Sequence, residues 1–140
     1  MATLDRLPTR SRLLRWGCVL DDLCVLCGDS SEDAHHLWGN CAVTRQIADR
    51  VLSWQGISIR CDSLMAWWNW FASSTRRRNN IYLGKLLAVV GIVYYVWRLR
   101  NDVIFNGRGI DIDVVSREII DSCKFRMMIK ISMKVGEVLL

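Results

Sequence analysis

The residues best suited to chemistry in this chain are Cys24, Cys27, His36 and Cys41, three thiols and an imidazole within eighteen residues. Their spacing, C-x2-C-x8-H-x4-C, suits a tetrahedral zinc ion held by three thiolates and one nitrogen. The two-residue gap between Cys24 and Cys27 lets a tight turn aim both sulfurs at one point, and Gly28 eases the backbone away. Adjacent side chains on a helix point about 100° apart, so only one of His35 and His36 can face the metal, and His36 is the expected ligand. Four protein ligands leave no position for a water, which marks a structural ion and not a catalytic one. Free core thiols and a pair of disulfides are the competing readings, and Cys18, six residues before Cys24, is an alternative ligand. Met1–Trp16 has no apolar run of signal-peptide type, so an intracellular, reducing compartment is expected, which disfavours disulfides. Cys61 and Cys123 have no nearby partner ligand and read as core thiols.

Helices must position these groups. One proline and nine glycines give little loop punctuation in 140 residues, and the long unbroken segments predict an all-α fold. That fold is a small helical domain stapled by the zinc, with a long central helix and a C-terminal helix. Thr9 is placed to cap a first helix over 10–16, with Leu13, Leu14 and Trp16 inward. Asp29 and Glu32 are placed to cap a short helix over 30–38 that Gly39 ends and that presents the histidine. A helix over 44–54 carries Ile47, Val51, Leu52 and Trp54 at helical spacing. Leu64, Trp67, Trp68 and Phe71 mark another, starting near Asp62 or Ser63 and read as core more than as a base-stacking stripe. A polar run over 73–80 reads as a hinge, and 81–101 as one buried central helix, apolar nearly all round. The uncharged run within it, 86–97, is twelve residues, short of the roughly twenty a bilayer needs, so a membrane role is not expected. Asp111 or Asp113 starts the last helix, with Val115, Ile119, Cys123 and Met127 in four-residue steps and a degraded pattern beyond. The zinc segment occupies 1–56, and 57–140 is a helical extension packed on it.

Several of these stretches resemble a known family. Leu7-Pro8-Thr9-Arg10, Leu14-Arg15-Trp16-Gly17, Cys24-Val25-Leu26-Cys27-Gly28, Glu32-Asp33-Ala34-His35-His36-Leu37 and Cys41 follow the order and spacing of the zinc-binding domain on the C-terminal side of plant LINE-type (non-LTR retrotransposon) reverse transcriptases. Trp97, Arg100, Asn101 and Phe105 resemble the W-x-x-R-N-x-x-x-F segment that often follows it. The likeness spans about residues 7–107 and is densest up to Cys41. It implies that His36 is the ligand, that the partners are RNA or DNA and a reverse transcriptase catalytic domain, and that the module assists nucleic-acid engagement. The rival reading is a zinc-stabilised structural or protein-interaction domain, or a decayed fragment.

The paired-aspartate tract that would hold a polymerase's metal ions is absent, and no Gly-rich phosphate loop, HExxH motif or nucleophile with a base replaces it. The chain is therefore not expected to be an enzyme, nor to take a small-molecule substrate. Its formal charge of +5 suits a polyanionic partner without demanding one. Charge is unevenly placed. Residues 18–41 hold Asp21, Asp22, Asp29, Glu32 and Asp33 with no lysine or arginine, whereas 76–100 hold Arg76, Arg77, Arg78, Lys85, Arg98 and Arg100 with no acid. Phosphates are thus expected at Arg76, Arg77, Arg78, Arg98 and Arg100 rather than at the metal loop.

Overall fold

The computed structural model describes residues 4–58, 66, 69, 70, 73 and 80–138. Among them the protein is all helical, with one isolated antiparallel bridge, Leu23 to Ser31, and no strand. A 3-10 turn, Leu4–Arg6, leads to α1, Arg10–Arg15; then come a π-turn, His36–Asn40, and helices α2, Ala42–Trp54, α3, Asn80–Asn106, and α4, Ile112–Val138. Of the helix expected after Asp62, Ala66, Asn69, Trp70 and Ser73 are helical, while Leu64, Trp67, Trp68 and Phe71 lie outside the described residues. Cys61, Arg76, Arg77 and Arg78 also lie outside them.

α1 differs from its sequence reading in two respects. Thr9 stands at the N-cap with extended backbone but its hydroxyl accepts no capping bond; Glu32 reaches across from the metal loop instead, its Oε1 accepting the Arg10 N–H at 2.9 Å. The helix also buries none of its residues, and Leu14 and Trp16 are exposed. Six residues are too few to form a stable apolar face, so α1 is held by its ends.

α2 is a regular amphipathic helix with Ile47, Ala48, Val51 and Leu52 buried. It packs against both α3 and α4. The Gln55 amide at its end donates to the Gly84 carbonyl of α3 at 2.8 Å, and Arg50 ion-pairs with Asp113 of α4.

α3 runs five residues beyond its expected end and, at 27 residues, spans roughly 40 Å. Ala88, Ile92, Val96 and Leu99 form its buried stripe, but Val90 and Tyr94 on the opposite side are exposed. The expectation of an all-round buried helix is corrected: Val90, Tyr94 and Arg98, four residues apart from one to the next, leave an exposed strip along it. By length and composition Tyr82–Asn106 could cross a membrane, at a mean hydropathy of 1.4, and 28% of its most apolar window is buried.

α4 starts at Asp111, whose carboxylate accepts the Val114 N–H at 3.0 Å. Val115, Ile119 and Cys123 are buried at four-residue steps. Helical spacing carries that same face on through Arg126, Lys130 and Lys134, while Phe125, Met128, Ile131 and Met133 turn to solvent. The apolar side of α4 therefore switches from core to water just after Cys123, which is why its sequence pattern degrades there. α3 and α4 are in close contact at Gly91, where an added Cβ would lie 2.9 Å from Ile119 Cγ2.

Candidate metal centre

The metal loop is built from three local devices. The Leu23–Ser31 bridge closes a hairpin, with the Cys24 N–H donating to the Ser30 carbonyl at 2.8 Å. Inside it, the Gly28 N–H returns to the Cys24 carbonyl at 2.8 Å, and Gly28 takes φ +72°, a left-handed turn that a side chain would strain. This brings the Cys24 and Cys27 sulfurs to one side. The third device is the π-turn. In an α-helix, residues five apart point about 140° away from each other, so His36 and Cys41 would diverge. Here the Cys41 N–H bonds to the His36 carbonyl at 2.7 Å, five residues back, and the wider turn leaves Cys41 Sγ within 4.8 Å of the imidazole donor.

The helix expected over 30–38 is shorter than that: its helical turn begins only at Ala34, and Asp33 caps it, accepting the His36 N–H at 2.7 Å. Neither Asp29 nor Glu32 does so. Gly39 does not end it either, since the π-turn runs through Gly39 to Asn40.

The four donor atoms of Cys24, Cys27, His36 and Cys41 lie within 4.8 Å of one another. An ideal tetrahedral zinc with bonds of about 2.3 Å to sulfur and 2.0 Å to nitrogen separates two sulfurs by roughly 3.8 Å and a sulfur from a nitrogen by roughly 3.5 Å. The Cys24 and Cys41 sulfurs are 3.9 Å apart, and Cys27 Sγ is 3.2 Å from His36 Nε2. The residues present thus fit a zinc ion in size and donor chemistry. His35 is exposed and Cys18 is exposed beside the Trp16 carbonyl; neither joins the cluster. The 3.9 Å gap is no disulfide, and Cys18, Cys24, Cys27, Cys41 and Cys123 are free thiols. Cys123 is a buried core thiol, its pKa raised by desolvation.

Charge is arranged to favour thiolate at Cys41. The Cys24 thiol donates to it, and the backbone N–H groups of Thr44 and Val43 at the start of α2 also face it, so its pKa is lowered to about 5. That proton-sharing and burial push Cys24 upward. Zinc, when bound, would supply the positive charge that holds all three sulfurs as thiolates.

Two features tie this loop to the helices. Trp38, in the π-turn, is buried against α3, its Nε1–H directed at the Val93 carbonyl at 3.4 Å and its ring 6.0 Å from that of Trp97. One position is decisive: Glu32 is 0% exposed and Arg100, from α3, is 2% exposed. Arg100 Nε and Nη2 both donate to Glu32 Oε1, at 3.0 and 2.8 Å, and the guanidinium lies 4.9 Å from the Trp97 ring centre. Nη2 also reaches the Pro8 carbonyl at 3.3 Å. Glu32 therefore joins α1, the metal loop and α3 at one carboxylate.

This pair corrects the expected phosphate set. Arg100 is sealed inside and cannot meet a phosphate, whereas Arg98, two residues earlier, is half-exposed and only loosely held, 3.9 Å from Asp102. The sequence reading missed Glu32 because it counted the residue among loop charges. The available signal was the Arg100–Asn101 pair of the W-x-x-R-N segment, whose inward-facing arginine needs a buried acid. The loop's negative charge is also partly offset, because the Arg10 guanidinium pairs with Asp21 at 2.7 Å; that hydrogen bond lowers the Asp21 pKa and keeps it ionised.

The fold and site together define a helical domain with a CCHC centre suited to zinc. Residues 1–47 match the family described as zinc-binding in reverse transcriptase. No curated protein and no solved structure matches the chain.

Proposed function

We propose that this chain is a non-catalytic zinc-binding module of a retrotransposon-type reverse transcriptase, acting as an accessory nucleic-acid-binding element beside the catalytic domain in an intracellular setting. The observation that carries the proposal is the four-donor cluster of Cys24, Cys27, His36 and Cys41 lying within the segment that matches the reverse transcriptase zinc-binding family. The zinc holds the metal loop; the binding surface lies on the cationic side of the helices, because phosphates are repelled by a loop with three thiolates and Asp22, Asp29 and Asp33. Binding of this kind is sequence-tolerant and steeply salt-dependent.

The second reading, a zinc-stabilised structural or protein-interaction domain, draws on the inward direction of Glu32 and Trp38, which commits the loop to packing. Titrating zinc-loaded protein with labelled RNA and DNA across a salt series separates the two. A linear fall of log affinity with log salt supports the first; no salt-dependent binding to either strand leaves the second. Metal-dependent primer extension that follows the protein through fractionation would refute the non-catalytic assignment.

A further inference from the structure

A groove of about 300 Å³ runs between α3 and α4, lined among others by Tyr94, Tyr95 and Arg98 from α3 and by Cys123 and Arg126 from α4. It exists because Gly91 brings the two helices together beside it, so that their surfaces diverge on either side of a close contact. Its chemistry is uniform in sign. No acid lines it, and two guanidiniums do. Arg98 has only the 3.9 Å approach to Asp102, an acid already engaged by Arg108 at 3.3 Å and by Asn106 at 3.0 Å. Arg126 makes no ion pair with a described residue and is exposed. The wall between them is aromatic: Tyr94 is 59% exposed and is braced edge-on by Tyr95, with ring centres 5.2 Å apart at 85°. An exposed tyrosine held in one orientation offers a ready-made face for a flat partner at little entropic cost.

We propose that this groove seats single-stranded nucleic acid, one base stacking on Tyr94 and the flanking phosphates meeting Arg98 and Arg126. The assignment rests on the nucleic-acid reading above and gives it a location. Tyr94 and Arg98 are four residues apart on one helix, about 6 Å between Cβ atoms, so a base and its own phosphate reach both. Arg126 comes from the other helix and widens the cationic track across the groove. A volume of about 300 Å³ is at the small end of ligand sites, which suits one nucleotide of a strand and not a duplex. The sequence places Arg98 among candidates but gives no reason to join it to Arg126, because their proximity arises only when α4 folds back along α3.

The test is an anisotropy titration of the zinc-loaded full chain with a labelled oligouridylate of about twelve nucleotides, between about 50 and 200 mM salt. Tyr94→Ala is expected to weaken binding about tenfold, and Tyr94→Phe to leave it unchanged, because stacking needs the ring and not the hydroxyl. Arg98→Gln and Arg126→Gln are each expected to reduce the salt slope by about 0.7. All three positions are on the surface, and zinc content with circular dichroism verifies folding. An abasic strand of equal length should bind more weakly; equal binding, or equal competition by polyglutamate, overturns the stacking seat. Salt-dependent binding that survives Tyr94→Ala and Arg126→Gln undiminished overturns the groove while leaving the nucleic-acid reading intact. Failure of the unaltered protein to bind any strand overturns both.

Discussion

Replacing Arg100 with methionine is the most informative single perturbation of this fold. The side chain keeps most of its length and apolar bulk but loses every bond to Glu32, which is 0% exposed. Glu32 would retain only the Arg10 N–H at 2.9 Å, and its Oε2 already has no hydrogen-bond partner. An isolated buried carboxylate of this kind costs about 3–5 kcal/mol when its partner is removed. Against a total of about 5–15 kcal/mol for a domain of this size, that is a large share. The expected result is a loss of about 3–5 kcal/mol for Arg100→Met in urea unfolding of zinc-loaded protein, followed by tryptophan fluorescence. Glu32→Gln in the same background should recover part of that loss, since an amide buries at lower cost and still accepts the Arg10 N–H. The double-mutant cycle then isolates the pair. A loss under about 1 kcal/mol, or additive losses in the double variant, would mean that Arg100 and Glu32 are not coupled and that the junction assigned to Glu32 is wrong.

Native mass spectrometry should find one zinc per chain, lost in Cys27→Ser and His36→Ala and kept in His35→Ala; the reverse pattern for the two histidines would overturn the ligand set. Metal-free, reduced protein should gain stability as pH rises from about 5 towards 9.0, because the folded pKa of Cys41 is depressed from 9.0 to about 5. The unfolded chain therefore binds the extra proton in that window, and stability is lost as pH falls through the folded value; a flat profile of urea midpoints would contradict the thiolate assignment. Gly91→Ala should destabilise despite better helix propensity, since overpacking against buried Ile119 costs about 1–3 kcal/mol and propensity returns at most about 1. A raised melting temperature would show that Ile119 yields.

The metal centre was legible because ligand spacing is a local property: Cys24, Cys27, His36 and Cys41 are read off one stretch and meet in space. Helices α2, α3 and α4 were legible because each opens with a long apolar periodicity. What the sequence hid was non-local. Glu32 and Arg100 are 68 residues apart, and the W-x-x-R-N segment that singles out Arg100 does not say which acid it meets. The switch of sides on α4 was visible only as a decaying pattern, in which Arg126, Lys130 and Lys134 continue the face that Val115, Ile119 and Cys123 bury. The π-turn was also hidden, because its hydrogen bond is a choice between two backbone registers that the sequence His36–Asn40 does not settle by itself.

The segment that matches the reverse transcriptase family ends at residue 47, and that residue, Ile47, lies in the interior of α2 with its side chain wholly buried. The matched stretch thus stops inside a helix and not at a border of the fold. Moved into another chain by itself, the matched stretch would carry all four candidate ligands but leave behind Val51 and Leu52 from its own last helix, together with Trp97 and Arg100. A functional graft has to include α3 as well, and a recombination breakpoint just after residue 47 would separate the metal loop from the helices on which it rests.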